Sequence, residues 1–397
     1  MCKYRFVMLL VVLVSSLFLL VSSVYAGEKD GVTGDTIKIG IIADLTGPTV
    51  ALQIPAVNAM KSYFKNINEK GGVFGRKIKA IAEDDRYTIP MHVSAFKKLA
   101  YRDKVFMIME IGSTGGILSL IPRFNKLKMP NFMTSTAKMF VKPTMPYHFT
   151  NGAAYEDEVR IIFNYLFNVL KVKNPKLGLV RPDTEHGKVG SRATAKQVKR
   201  FGTKLLAEEI LAPGAMEAGS QVLNLRRQKI NYIILHLTVA NSVAFLRDGK
   251  KYGIKAKFYG TKYTCTETTV QMAGKAAKEF YAINSFASWY DDEPGVKEMR
   301  KVSLKYYPDL NKKIPPKIWT QGWAEAVIVH EGIKRAGKNL TRNGVIKAWE
   351  SMKNYNMKGL SANATFGPNK HQCSEHCKIY KADIPNGKLA PISDWIK

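Results

Sequence analysis

The feature that most constrains this chain is an alternation of strand-like apolar runs with amphipathic helical runs, broken once and then resumed. "IKIGIIA" (37–43) is rich in isoleucine and precedes Gly47-Pro48. A long helical stretch runs to "NEKGG", followed by the strand-like "RKIKAIAEDD" (76–85) and the helical "MHVSAFKKLAYRD". "KVFMIME" (104–110) predicts a third strand, "GGILSLIPRFNKL" a helix and "MPNFMTS" a fourth strand. The Pro- and Gly-bearing "VKPTMPYHFTNG" (141–152) interrupts the pattern. It resumes with the strand "KLGLVRP" (176–182), the helical "GKVGSRATAKQVKRF", and the strands "KLLAEEIL", "NYIILHLT", "KFYGTKYT" and "FYAINSFAS" (280–288). Helices around "WTQGWAEAVIVHEGIKRAG" and "TRNGVIKAWESM", then a short tail, complete the chain. Such βα alternation favours parallel sheets covered by helices on both faces. The expectation is an α/β fold of two lobes with a cleft between them.

The 397 residues suit one large or two medium domains. Residues 1–26 stand apart: Lys3 and Arg5 precede "FVMLLVVLVSSLFLLV", and Val24 and Ala26 sit in the small-residue positions of a cleavage site. This reads as a cleaved secretory signal peptide, with a retained membrane anchor as the alternative. The formal net charge is +29, and loss of Lys3 and Arg5 would leave +27. A charge of this sign raises nucleic acid as a partner. No zinc-finger spacing, RNA-binding aromatic motif or basic tail accompanies it, so a solvated lysine-rich surface is expected, with a field that favours anionic ligands. Cys373 and Cys377 in "HQCSEHC" are expected to form a disulfide in an oxidising compartment, with Cys265 alone. His371 and His376 make a zinc site the weaker alternative.

Ligands of open parallel sheets bind beyond the carboxyl ends of the strands. This nominates Ser113 and Thr114 in "GSTGG" and Thr134, Ser135 and Thr136 at the end of the next strand. The matching ends in the second series include His186, Thr238 and the run Gly260 to Thr264. "GSTGG" lacks the Gly-Lys of a P-loop and the spacing of a dinucleotide fingerprint, so neither nucleotide site is expected. A glycine-rich helix start beside hydroxyls suits an anionic group such as a carboxylate, or simple helix capping. No nucleophile elbow or metal signature occurs, although Asp84-Asp85 is a conceivable acid pair and His186 a conceivable base. No catalytic residue, metal or cofactor is therefore assigned.

Taken in order, "IKIGIIADLTGPT", "INEKGGVFGRKIKAIAEDDRYTIP", "DKVFMIMEIGSTGG", "KMPNFMTSTA", "YGIKAKFYGTKYTCTETTV" and "FGPNKHQ" cover nearly the whole chain after residue 26. This series resembles the periplasmic substrate-binding proteins of branched-chain amino acid ABC transporters, the leucine/isoleucine/valine-binding family. The resemblance implies the type I periplasmic binding fold: two Rossmann-like lobes with parallel sheets, a three-strand hinge and a ligand in the interlobe cleft, closed by hinge motion. Crossings near Thr150, Ser285 and Pro368 imply one lobe of 27–149 with 286–367 and another of 150–285 with 368–397. It implies no enzymatic activity and no cofactor. It implies a small-molecule ligand, membrane permease subunits as partners, a periplasmic location and a monomer.

Residue by residue, the resemblance places the ligand carboxylate at Ser113 or Thr114 and the next contacts at Thr134, Ser135 and Thr136. His186-Gly187 stands where the family often has Tyr-Gly. Lys262 lies at or near the position of an acidic residue that pairs with a ligand ammonium; the nearest acid, Glu267, is five positions on. A lysine there opposes an ammonium and favours a second negative charge. An amino acid and an organic or aromatic acid lacking the amine both stay open as ligands, as does a solvent-facing Lys262. Tyr263, Trp289 and Trp319 are candidates for an apolar subsite. Two other functions are weighed: a ligand-sensing protein of the same fold, and a secreted hydrolase requiring Ser113 and His186 to meet.

Overall fold

A computed structural model describes Gly27 and residues 29–397. The signal-peptide segment lies outside the described residues. The strand-like runs form two sheets. The first contains β1 (Thr36–Ala43), β2 (Lys77–Asp84), β3 (Met107–Glu110), β4 (Asn131–Met133) and β5 (His148–Thr150) in the order β2-β1-β3-β4-β5. Every pairing in it is parallel. The second contains β6 (Leu177–Pro182), β7 (Leu205–Leu211), β8 (Tyr232–Leu235), β9 (Lys257–Gly260), β10 (Phe280–Asn284), β11 (Lys378–Asp383) and β12 (Lys388–Pro391). Its order is β12-β11-β10-β9-β8-β6-β7, with β11 antiparallel to both neighbours and the rest parallel.

Helices fill the crossovers, as the alternation predicts. In the first half these are α1 (Val50–Glu69), α2 (Ile89–Lys97) and α3 (Thr114–Leu127). The helix α4 (Tyr155–Asn164) leads from β5 to β6, and between the second-sheet strands come α5 (Glu185–Arg200), α6 (Gly219–Arg227), α7 (Val239–Lys251) and α8 (Glu267–Ala273). After β10 the chain returns to the first sheet through α9 (Pro294–Tyr306), α10 (Lys317–Ala336) and α11 (Arg342–Glu350). Trp319, Trp323 and Trp349 from this return join Ile39, Ile41 and Phe132 in one core. The backbone of α10 approaches α1 closely: a Cβ on Gly322 would lie 2.5 Å from the Ala56 carbonyl oxygen. Separate cores lie under the second sheet.

Several strands are shorter than their apolar runs, for local reasons. Lys104 adopts a left-handed φ of 50°, so β3 starts only at Met107. Thr134–Thr136 leave the β4 ladder to build the loop described below. After β9 a turn closes with the Thr264 N–H donating to the Thr261 carbonyl at 3.0 Å, which swings Lys262 and Tyr263 off the sheet.

The expected Cys373–Cys377 disulfide is corrected by the structure: both are buried free thiols, as is Cys265. The tail between them runs from one core to another. Cys373 packs in the first-sheet core and its Sγ donates to Asn151 Oδ1 at 2.7 Å. Cys377 packs under the second sheet, with Sγ 3.4 Å from Ser285 Oγ. A bridge needs the two Cβ atoms about 3.5–4.5 Å apart and facing each other. The zinc alternative also fails among the described residues. His371 is bound to the Met145 carbonyl at 2.8 Å and to Glu350 at 3.1 Å, and the four side chains do not converge.

Candidate functional site

The carboxyl ends of both sheets face one another, and a small cavity of about 20 Å³ lies between them. From the first-sheet side Thr49, Leu52, Gln53, Tyr87, Ile111, Gly112 and Thr134 line it, with Ile318 from α10. His186, Thr238 and Tyr263 line it from the second-sheet side. Four of the nominated residues therefore meet there: Thr134, His186, Thr238 and Tyr263.

The first-sheet wall is knit together internally. Gly112 has a φ of 77°, and a Cβ there would meet Gln53 Nε2 at 2.5 Å, so the close backbone approach requires glycine. Its N–H donates to Thr134 Oγ1 at 2.9 Å. Ser113, with a left-handed φ of 47°, accepts from the Gly116 N–H at 3.2 Å and so caps α3. Its hydroxyl belongs to the helix start. Thr114 Oγ1 and Ser135 Oγ are 3.1 Å apart, and Ser135 Oγ is 2.8 Å from the Tyr155 hydroxyl. These two hydroxyls stand behind the cavity wall.

The second-sheet wall reaches across the gap. Lys262 Nζ donates to the Thr134 carbonyl and to Thr136 Oγ1, each at 3.1 Å, and is 2% exposed. Lys262 thus points into the cleft. The Tyr263 hydroxyl donates to the same Thr134 carbonyl at 3.1 Å, and Gln321 Nε2 from α10 does so at 3.2 Å. The buried Lys262 has two carboxylates near it: Glu158, whose Oε2 accepts the Lys262 backbone N–H at 3.0 Å, and Glu325, held by Gln321 at 2.8 Å. Burial lowers the Lys262 pKa, and the two carboxylates oppose that shift. Burial also raises both Glu158 and Glu325, with Lys262 acting against it. Glu158 Oε1 and Glu325 Oε2 have no hydrogen-bond partner.

His186 is the least satisfied member of the cavity. It is 3% exposed, and neither ring nitrogen has a partner. Its ring stacks on His236 at 3.9 Å between centroids and edges Tyr155 at 4.8 Å. His236 donates from Nε2 to the His186 carbonyl at 3.1 Å, its Nδ1 lies 3.0 Å from the Thr261 hydroxyl, and burial lowers its pKa to about 3, which keeps it neutral. Burial, His236 and Lys262 together hold His186 well below its ordinary pKa. A neutral imidazole keeps one donor and one acceptor for whatever enters the cavity.

Other nominated residues lie elsewhere. Trp319 faces away from the cavity, donates from Nε1 to Ser303 Oγ at 2.9 Å and packs edge-on to Trp289 at 6.2 Å. It borders an apolar groove of about 370 Å³ with Val50, Ile54 and Ile314. Asp85 holds His92 at 2.6 Å, while Asp84 accepts from Leu45 N–H at 2.9 Å and from the Thr46 hydroxyl at 2.6 Å. They stabilise turns and a buried histidine. Ser113 and His186 make no contact, so the pair that hydrolysis requires is missing. Glu267 is committed as well: it accepts the Lys317 N–H at 2.9 Å, with Lys317 Nζ at 3.9 Å.

The nominations omitted Thr49, Leu52, Gln53, Tyr87 and Ile318. In the first series the strand-end rule nominates residues after the third and fourth strands, but "LTGPTVALQ" after β1 and "DDRYT" after β2 carry the same signal. Ile318 comes from the returning helices, beyond the reach of that rule.

The family model described as "Periplasmic binding protein" matches residues 36–388. The leucine-specific-binding protein of Salmonella typhimurium is 19% identical over 355 residues, covering 86% of this chain and 88% of that protein. The Leu/Ile/Val-binding protein homolog 1 of Brucella abortus is 20% identical over 315 residues, 76% of this chain and 79% of its own. Among solved structures, a branched chain amino acid ABC transporter protein from Thermus thermophilus with bound valine superposes with a TM-score of 0.86 at 22% identity, covering 92% of this chain and 97% of its own. A fatty acid ABC transporter substrate-binding protein from Thermomonospora curvata gives 0.83 at 23% identity, covering 93% and 94%. These likenesses establish the two-lobed type I fold. With a family match spanning nearly all the described residues and two facing sets of strand ends, the chain belongs to the periplasmic binding protein family, which binds rather than transforms its ligands.

Proposed function

We propose that this protein is the substrate-binding component of an ABC importer, capturing a small carboxylate-bearing ligand that lacks an amine. The observation that carries the reading is the cavity lining. None of its eleven residues is a carboxylate, while His186 offers unpartnered nitrogens and Lys262 stands close behind Thr134. An ammonium group would find no carboxylate in the lining to pair with, whereas an acid would meet the neutral donors of His186 and the hydroxyls. Leu52, Ile111 and Ile318 favour an apolar or aromatic body. Of the similar structures, one holds bound valine and the other is the substrate-binding protein of a fatty acid transporter. The missing acidic partner favours the second type of chemistry.

A cavity of about 20 Å³ holds roughly one water, so entry of any such ligand requires the lobes to part. The reading therefore includes hinge opening between a lobe of 27–149 with 286–367 and one of 150–285 with 368–397. It includes export through the 1–26 leader to the periplasm, membrane permease subunits as partners, and action as a monomer without cofactor.

A thermal-shift screen of organic acids and amino acids tests it. A ligand bound only to the folded state adds about 2.7 kcal/mol at a hundredfold excess over its Kd. Stabilisation by simple acids and none by aliphatic amino acids is expected. The reverse pattern would overturn the ligand assignment.

A further inference from the structure

Behind the cavity wall three ionisable side chains gather, each 2% exposed or less: Lys262 from the turn after β9, Glu158 from α4 and Glu325 from α10. Lys262 belongs with the second sheet, whereas the neighbours of Glu325, Ala324 and Ala326, pack in the first-sheet core. The trio therefore straddles the seam between the walls. One carbonyl ties it together. Thr134 accepts from Lys262 Nζ and from the Tyr263 hydroxyl, each at 3.1 Å, and from Gln321 Nε2 at 3.2 Å. The same Gln321 amide donates to Glu325 Oε1 at 2.8 Å.

The charges of this trio do not balance. One ammonium faces two carboxyls, and one oxygen of each, Glu158 Oε1 and Glu325 Oε2, has no hydrogen-bond partner. The surrounding groups supply no second cation. Burial holds His186 and His236 neutral. Arg181, which faces His236, is paired with Glu208. Lys138 and Arg160 answer Asp157, and Glu156 beside them adds another acid. The thiols of Cys265, Cys373 and Cys377 and the hydroxyls of Tyr155 and Tyr263 are raised by burial and stay uncharged. Elsewhere on the seam the count is even: Glu267 meets one cation, Lys317, at 3.9 Å. A buried carboxyl without a counter-charge sheds its charge by taking up a proton. Burial accordingly raises both Glu158 and Glu325, with Lys262 acting against it.

We propose that closing of the cleft takes up one proton, held by the Glu158–Glu325 pair, so that acid favours the closed protein and alkali loosens it. Such coupling rests on the hinge opening proposed above, whichever ligand the cleft takes. Parting the walls withdraws Lys262 from Thr134 and admits water to the carboxyls, which then ionise near the ordinary value of about 4.3. Closing expels that water, and a solvent proton neutralises one carboxyl while Lys262 neutralises the other. A carboxyl whose pKa is higher in the closed form favours closure at low pH, and that preference is lost as pH rises through the raised value. For one proton the closed-to-open ratio falls about tenfold per pH unit from about pH 5 upward.

Small-angle X-ray scattering of the ligand-free chain without its leader, from about pH 5 to about pH 8, tests this. Wild type is expected to be compact at the acid end and to expand toward the alkaline end. Glu325→Gln keeps an acceptor for Gln321 but carries no charge, and should stay compact throughout. A pH-independent wild type, expansion on acidification, or a Glu325→Gln variant that expands as wild type does would overturn the proposal.

Two further measurements separate the proton from the hinge. Lys262→Glu adds a third acid to the seam and should be expanded at about pH 8. An expanded K262E beside a pH-independent wild type would refute the proton coupling alone, and a compact K262E would refute the hinge opening with it. Difference infrared spectra read the proton itself, without relying on K262E to fold. A protonated-carboxyl band near neutrality is expected in wild type and not in Glu325→Gln. Its survival in that variant, or its absence from wild type, would overturn the proposal.

Discussion

The two walls of the cleft are made of different material. On the first-sheet side, hydroxyls and amides are bonded to one another: Gly112 to Thr134, Ser113 to Gly116, Thr114 to Ser135. On the second-sheet side, the polar groups cross to the opposite wall or stay unpaired, as Lys262, Tyr263 and His186 do. One wall is preorganised independently of closure, and the other finds its partners through closure. The second wall should therefore control both the strength of closure and the choice of ligand.

Four changes would break or sharpen this contrast. The largest effect is expected for Lys262→Met, which leaves Glu158 and Glu325 buried without their cation. Breaking a buried pair typically costs about 3–5 kcal/mol. Because burial raises both carboxyls, the loss should be greatest in urea melts at pH 8 and shrink toward pH 5, where they are protonated. A loss equal at the two pH values would refute the buried-charge account.

The second change concerns pH and the first wall's support. His92 is sandwiched between Asp85 at 2.6 Å and Glu110 at 2.8 Å. Burial pulls its pKa down, but the two hydrogen bonds and charges win and raise it to about 9. A folded pKa above the unfolded value gives stability fully present below about 6.5 and lost as pH rises through about 9. His148, about 4, and His236, about 3, are depressed by burial and act oppositely: their stability is present above about 6.5 and lost on acidification. Stability should thus peak near neutrality. His92→Gln should remove the alkaline decline of roughly 2–3 kcal/mol, and an unchanged alkaline limb would show that another group causes it.

The third change, His186→Gln, should weaken binding of the best organic acid by about tenfold, or 1.4 kcal/mol. The matching change on the first wall, Ser113→Ala, should leave affinity nearly intact. Calorimetric titrations of the two variants side by side measure the asymmetry directly, and equal losses would abolish it.

The smallest effect is the fourth. Ser113→Ala removes a helix cap, at about 1 kcal/mol of stability. Ser113→Gly should lose less, because glycine relieves the left-handed φ of 47°. Chemical denaturation of both variants checks the order.

Of the first-sheet residues that line the cavity, only Thr134 was nominated from the sequence. The strand ends "GSTGG" and "TSTA" do lie together, but most of their hydroxyls stand behind the wall. The finer distinction between a hydroxyl that caps a helix and one that faces a cavity was not legible, because it turns on the left-handed backbone conformation of Ser113. The second wall's three lining residues, His186, Thr238 and Tyr263, were all nominated from the sequence. The direction of Lys262 is not legible there, since a four-carbon side chain reaches cleft or solvent from the same backbone position.

By itself, then, the sequence determined the order of strands and helices, the two series and the positions of their polar ends, because these follow from local periodicity and turn chemistry. Tertiary structure alone decided which ends complete one another. Lys262 finds a carbonyl 128 residues away, Trp319 turns to Ser303, and Cys373 and Cys377 enter different cores despite lying four residues apart. Those outcomes depend on packing between distant segments, and no local pattern encodes the direction of a side chain across a cleft.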